Sequence, residues 1–265
     1  MKNIFITLFT VFFLLSCSDN DNDNNDNSNE TQSYLPLNNG KYWVYDTQTS
    51  NAAGRDSLYI ANDTLIEGKS YKKFKTKNTP TGFYSGALSG NGIRQEGSKL
   101  LVSGGTSVIL SEEFPISLAV NDFVLFDANA TAGSILSTKS GMLEQPVDDI
   151  YTIKIEYGMS SMAQQDRPTY TTPDGTTYTN VKVVTITLNI KITAIVTVDT
   201  FTIPIEIMPA QDALVSTQYY AEGVGAIRVV TDIDYELIDT SSLNINVTVP
   251  ESGSEHQEEV LIDYN

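Results

Sequence analysis

A single cysteine and a single histidine narrow the chemistry open to this chain of 265 residues. Cys17 ends the run Leu14-Leu15-Ser16-Cys17. Large apolar residues, a small one and then cysteine have the shape of a lipobox, in which the thiol receives a diacylglyceryl group and further acylation, such as palmitate, follows. Because Cys17 is the only cysteine, no intramolecular disulfide forms, and lipid consumes the one thiol nucleophile. His256 lies in the acidic stretch Pro250-Glu251-Ser252-Gly253-Ser254-Glu255-His256-Gln257-Glu258-Glu259. A Ser-His-Asp triad would have to recruit it from there, and a histidine-based zinc site would need partners the sequence lacks. We therefore expect no catalytic residue.

Carboxylates remain, because a glycoside hydrolase needs only two well-placed acids. Acid pairs stand at Glu112-Glu113, Asp148-Asp149 and Asp232/Asp234. Neighbours in a strand point to opposite faces, whereas Asp232 and Asp234 share one. That pair is the candidate for Ca²⁺ or acid-base work; the competing reading is a wet strand face between Val229-Val230 and Leu237-Ile238. Asp19, Asp21, Asp23 and Glu30 fall at positions 1, 3, 5 and 12 of an EF-hand-like loop, but Asn24 replaces the turn glycine and no helices flank it. Gly223-Val224-Gly225 and Gly90-Asn91-Gly92 are followed by Arg228 and Gln95 where a dinucleotide-binding fingerprint needs a small residue, so neither cradles phosphate. No metal or cofactor is expected.

The elements that place these groups begin with a leader. Met1-Lys2-Asn3 and the apolar run Ile4 to Leu15 read as a signal peptide, residues 1–16, too short for a membrane span of roughly 20 residues. Residues 17–33 read as the lipidated cysteine and a solvated tether, SDNDNDNNDNSNETQS after Cys17, which buries too little to offset its ordering entropy. Residues 34–250 read as one domain, and 251–265 as an acidic tail or a last strand. With 16 basic and 33 acidic residues the net charge is -17; loss of Lys2 with the leader makes it about -18. Such a body repels nucleic acid and favours neutral, cationic or divalent-metal partners.

The domain reads as all-β. From Val184 to Val198 every even position is apolar, a period-two pattern over 15 residues. At about 3.3 Å per residue this spans roughly 50 Å, so the strand must bend or continue past one core. The apolar phase then moves to Phe201, Ile203, Ile205 and Ile207, which predicts a reversal between Val198 and Phe201 and an antiparallel partner, an edge or bulged strand at Pro204. Pro173-Asp174-Gly175 predicts a hairpin, and Asn39-Gly40, Glu67-Gly68-Lys69 and Gly90-Asn91-Gly92 mark further turns between β-rich runs at Tyr42–Tyr45, Ser57–Ile60 and Tyr71–Thr76. Later runs are Phe123–Phe126, Tyr151–Tyr157, Gln218–Glu222, Ala226–Thr231 and Leu243–Val249; Val108 to Val120 is the best helical stretch, and Pro115 interrupts it. A meander of this many strands closes into a barrel or half-barrel, or folds into a two-sheet sandwich.

Cys17-Ser18-Asp19 and the acids that follow resemble the export signal of surface-exposed lipoproteins of Bacteroidetes, here with Asp alternating with Asn. Leu35-Pro36-Leu37-Asn38-Asn39-Gly40-Lys41-Tyr42-Trp43-Val44-Tyr45, Asp63-Thr64-Leu65-Ile66-Glu67-Gly68-Lys69-Ser70-Tyr71 and Tyr219-Tyr220-Ala221-Glu222-Gly223-Val224-Gly225 together resemble a loosely defined group of secreted and lipid-anchored bacterial proteins. The resemblance implies the outer face of the outer membrane and carries over no catalytic or binding residue. Asp56-Ser57-Leu58 and Asp63-Thr64-Leu65 are similar to the O-glycan acceptor pattern of Bacteroidetes. Tyr42, Trp43, Tyr45, Tyr219 and Tyr220 include neighbours, so some rings face in and others out, where an outward ring can stack on a sugar. Three readings follow: a non-enzymatic binding or accessory module that meets a glycan or an outer-membrane protein, a carrier of an apolar small molecule in a barrel cavity, and a carboxylate-dependent glycan hydrolase.

Overall fold

The computed structural model describes residues 33–111, 114–147, 151–198, 201–239 and 250–265, with the side chains of 106–111, 114–116 and 198 left aside. Cys17, the leader, most of the tether, Glu112-Glu113, Asp148-Asp149, the turn residues Asp199-Thr200 and the run Leu243–Val249 lie outside them.

Thirteen strands and one short helix account for nearly all of the described chain. The strands are β1 (Tyr42–Thr49), β2 (Ala53–Ile66), β3 (Lys69–Thr76), β4 (Gly92–Glu96), β5 (Lys99–Ser111), β6 (Phe114–Asp127), β7 (Ile135–Pro146), β8 (Tyr151–Ala163), β9 (Arg167–Thr171), β10 (Thr177–Val198), β11 (Phe201–Ala221), β12 (Gly225–Glu236) and β13 (Ser252–Tyr264), with helix α1 (Phe83–Leu88) between β3 and β4. All pairings are antiparallel, and the sheet runs β6-β5-β4-β3-β2-β1-β13-β12-β11-β10-β8-β7, with β9 extending the pairing of β10. Neighbours in the sheet are consecutive strands except where β1 meets β13 and β10 meets β8, so the meander is a nearly closed barrel with its seam between β6 and β7. At that seam Ser161 Oγ of β8 donates to the Val124 carbonyl of β6 at 2.5 Å.

Turn chemistry follows the residues that demand it. Glu67 and Gly68 both take positive φ, 49° and 79°, the I′ pattern that matches the twist of the β2–β3 hairpin. Gly175, at φ 91°, closes the Pro-Asp-Gly hairpin between β9 and β10. The stretch Val108 to Val120, the best helical candidate by sequence, instead belongs to the β5–β6 hairpin, where Ile109 pairs with Pro115. Residues 252–264 are not a tail: β13 sits between β1 and β12.

Alternation along the strands builds two apolar cores. The first gathers Trp43, Tyr45, Leu58, Phe74, Ile93, Phe126, Val184, Ile186, Tyr220 and Leu261; the second gathers Ile153, Ile155, Leu188, Ile190, Ile192, Ala194, Ile207, Met208 and Leu214. β10 serves both, and register shifts after Leu188 and Ile190 bend it where one core gives way to the next. On β11 the buried residues read Tyr220, Gln218, Ser216 and Leu214, so a polar band divides the two cores. The band is bonded within itself: Tyr220 Oη donates to Gln218 Oε1 at 2.8 Å, and Thr231 Oγ1 to Ser216 Oγ at 2.9 Å. Among the described residues β11 meets β12 only from Leu214 onward, so Pro204 lies on a segment paired on one side.

The chain entering β1 seals one mouth of the barrel. Gly223 N donates to Ser33 O at 2.7 Å, Tyr34 packs on Phe126 with ring centroids 5.0 Å apart, and Leu35 is buried. Gly225, at φ 122°, leaves room beside it: a Cβ there would meet Trp43 Nε1 at 2.7 Å. Trp43 is fully buried, stacks on Phe74 at 5.7 Å and donates from Nε1 to the Val224 carbonyl at 2.6 Å. Trp43→Ala should cost about 3–5 kcal/mol, from lost packing and a stranded carbonyl. A denaturant midpoint unchanged in that variant would contradict this account of the core.

Candidate functional site

Two buried carboxylates organise the interior. Asp56 of β2 accepts from Thr81 N at 2.9 Å and Gly82 N at 2.8 Å. Glu259 of β13 accepts from Tyr84 N at 2.6 Å, Ser85 N at 3.1 Å and Ser85 Oγ at 2.6 Å, while Gln257 Oε1 takes Phe83 N at 3.0 Å. Five successive backbone donors, residues 81 to 85, thus find acceptors on the barrel wall. That is why a six-residue helix too short to stand alone forms here. Gly82 is required by contact: a Cβ would lie 2.2 Å from Glu259 Cδ. Burial pushes the Glu259 carboxyl up to about 7, against the pull of its donors from Ser85 and Tyr84. These groups hold α1, with both carboxylates taken up by N–H and O–H donors of residues 81 to 85.

A second polar knot fixes the corner made by β3 to β6. Asp122, at φ 49°, is bonded by Lys69 Nζ, Tyr71 Oη and Arg94 Nε. Arg94 first, then Lys69 and Tyr71, hold its carboxyl well below the usual range.

The outer wall carries a different arrangement. Strand register places Tyr219, Arg228, Val260, Asp46 and Arg55 side by side across β11, β12, β13, β1 and β2. The adjoining outward row holds Thr217, Val230, Glu258, Gln48 and Ala53. Between β13 and β2 this wall sinks into an open groove of about 670 Å³, where the outward Ala53 contributes so little side chain. Its charges are paired: Arg55 binds Asp46 at 2.7 Å, and Arg228 Nε binds Glu258 Oε1 at 2.6 Å. On β11, two strands beyond the groove, Tyr219 stacks on Tyr170 of β9 at 4.5 Å, and Arg228 lies 5.9 Å over the Tyr219 ring while donating to Tyr170 Oη at 2.5 Å.

The residues singled out by sequence are placed as follows. Asp232 and Asp234 are both exposed on β12, and Asp232 Oδ1 lies 2.6 Å from His256 Nδ1 on β13, whereas Asp234 stands opposite Ser254. His256 is therefore a strand residue, not part of a loose tail. Ser50 Oγ accepts from its backbone N–H at 3.1 Å, not from its ring. This dyad stands on the convex wall with both side chains more than half exposed. Among the described residues no group of three or more His, Cys, Asp or Glu is placed to hold a metal ion. Of the five aromatic candidates, Trp43, Tyr45 and Tyr220 are buried in the core, while Tyr42 and Tyr219 are only partly covered. Asp56 and Leu58 are buried, which confines the Asp56-Ser57-Leu58 motif to the wall, whereas Leu65 beside Thr64 is 73% exposed at the far end of β2. The groove and Glu259 could not be singled out from sequence, since the groove arises where β13 meets β1 at the other end of the chain and Glu259 is set by α1, 174 to 175 residues earlier.

No family model, curated protein or solved structure matches the chain.

Stability should report the state of Glu259. Its carboxyl binds a proton more tightly when folded, about 7 against an ordinary 4.5, so between these values the folded state holds more protons and stability falls as pH rises. The loss from pH 5 to pH 8 should be on the order of 3 kcal/mol, from about 1.4 kcal/mol per unit. Glu259→Gln should flatten that slope while lowering the maximum by about 1–3 kcal/mol, because its amide meets the Ser85 N–H. A wild-type protein equally stable across that range in urea titrations would show that Glu259 is not the group described.

Proposed function

We propose that this chain is a surface-exposed lipoprotein of the outer membrane, held by acyl chains on Cys17 and acting as a non-enzymatic binding or accessory module. The location rests on the Leu14-Leu15-Ser16-Cys17 spacing and on the acidic residues after it, which resemble the Bacteroidetes export signal. Two or three acyl chains suffice for stable anchoring, at about 0.8 kcal/mol per buried methylene.

One observation carries the binding half of the reading: side chains fill the barrel, and its recognisable polar relief lies outside. Trp43, Tyr45, Phe74, Tyr84 and Tyr220 occupy the interior, each below 2% exposed, which favours a wall that binds over a lumen that carries an apolar ligand. The groove also favours binding over hydrolysis. Glycoside hydrolysis needs one carboxyl that arrives protonated, and both groove acids, Asp46 and Glu258, are paired with guanidinium groups.

Cys17→Ala should move the protein out of the membrane fraction and abolish incorporation of an alkyne-palmitate label. In intact cells, added protease should remove the wild-type protein. Membrane retention of the unlabelled Cys17→Ala form would overturn the anchoring, and protection from protease would overturn the outward orientation.

A further inference from the structure

The groove's chemistry identifies a class of ligand, an inference that rests on the binding-module reading and deepens it. The two carboxylates and two guanidinium groups around the groove neutralise one another in pairs, Asp46 with Arg55 and Glu258 with Arg228. An ion would have to break a pair or sit beside a like charge, so net charge is selected against. A hydroxyl group meets no such conflict, since it donates to a carboxylate and accepts from the neighbouring guanidinium at once. Gln48, exposed at the rim, donates its amide N–H groups to the Thr49 and Ala52 carbonyls at 3.1 and 3.5 Å and presents its oxygen as an acceptor. Val260 and Ala53 supply apolar side chains between the charged pairs, a surface for C–H groups, with the backbone of Gly54 beside them.

Length supplies a second constraint. From Tyr219 to Arg55 the row crosses five neighbouring strands, four spacings of about 4.8 Å or roughly 19 Å, the reach of a short oligomer. Two strands beyond the groove, on β11, the Tyr170–Tyr219 stack ends this row as an aromatic pair pinned by Arg228. Polar edges with paired donors and acceptors, apolar side chains between them and an aromatic pair at the end of the row fit a molecule with hydroxyls around its rim and C–H groups on its faces. We propose that the outer-wall groove between β13 and β2 binds a neutral oligosaccharide.

The test titrates the purified full chain with maltotetraose, cellotetraose, xylotetraose and N-acetylchitotetraose, and with tetragalacturonate and tetra-alanine as charged and peptide probes. At least one neutral sugar should saturate in calorimetry, with affinity changing less than about twofold between roughly 50 and 500 mM salt, because no net charge is recognised. Ala53→Trp, which fills the groove, should weaken binding by at least about tenfold, and Gln48→Ala by a smaller factor, with both variants retaining the wild-type circular dichroism spectrum. Should Ala53→Trp misfold, Gln48→Ala decides alone. Saturation by none of the four sugars, or binding unmoved by the groove variant that folds, overturns the proposal. Tetra-alanine or tetragalacturonate binding that Ala53→Trp abolishes overturns the sugar as ligand yet leaves a binding wall in place. Failure of the broader reading is separate and shows in the Cys17 and protease experiments.

Discussion

Two strands at opposite ends of the chain, β1 and β13, pair along nearly their whole length, from Trp43 with Tyr264 to Thr49 with Gln257. Contacts so distant in sequence carry the full entropic cost of loop closure, and they form because the strands on either side already bury apolar faces. Everything distinctive about the molecule sits on that junction. Inward, it sets Glu259 against α1; outward, it sets Glu258 and Val260 beside Asp46 and Gln48. Adjacent residues of β13 thus serve opposite sides of one wall, as the two-residue period of a strand requires.

The polar band across β11 and β12 explains why the barrel has two cores. Gln218, Ser216 and Thr231 are buried and must find partners, which they do mainly among themselves. Apolar contact therefore breaks at that level and resumes beyond it. β10 and β11, 22 and 21 residues long, are the splints that join the two parts.

Much of this architecture was legible in the residues. The even-position apolar series from Val184 to Val198 marked the last 15 of the 22 residues of β10 and its passage beyond one core, and Pro-Asp-Gly marked the β9–β10 turn. Neighbouring aromatics divided between inside and outside, as alternation demands: Trp43 and Tyr45 in, Tyr42 toward solvent. What sequence concealed depended on partners remote in the chain. Residues 251 to 265 read as either an acidic tail or a last strand because Glu255, Gln257 and Glu259 take its inward positions, and Glu259 is tolerated there by the N–H groups of 84 and 85. Helix α1 carries no long apolar period and owes its existence to acceptors on other strands. The groove is built from ordinary surface residues, and only register assembles them. Asp232 and Asp234 share a face as expected, and register brings His256 to Asp232 and Ser254 to Asp234.

The seal at the barrel mouth bears on how the molecule answers a mechanical load. Among the described residues, tension arriving at Ser33 meets the backbone link from Gly223, and then the embedded Tyr34 and Leu35 before it reaches the first strand. A pull at that point peels these contacts one after another instead of shearing the whole ladder of β1. The seal would thus yield first and shield the wall behind it, like a sacrificial stitch ahead of a seam.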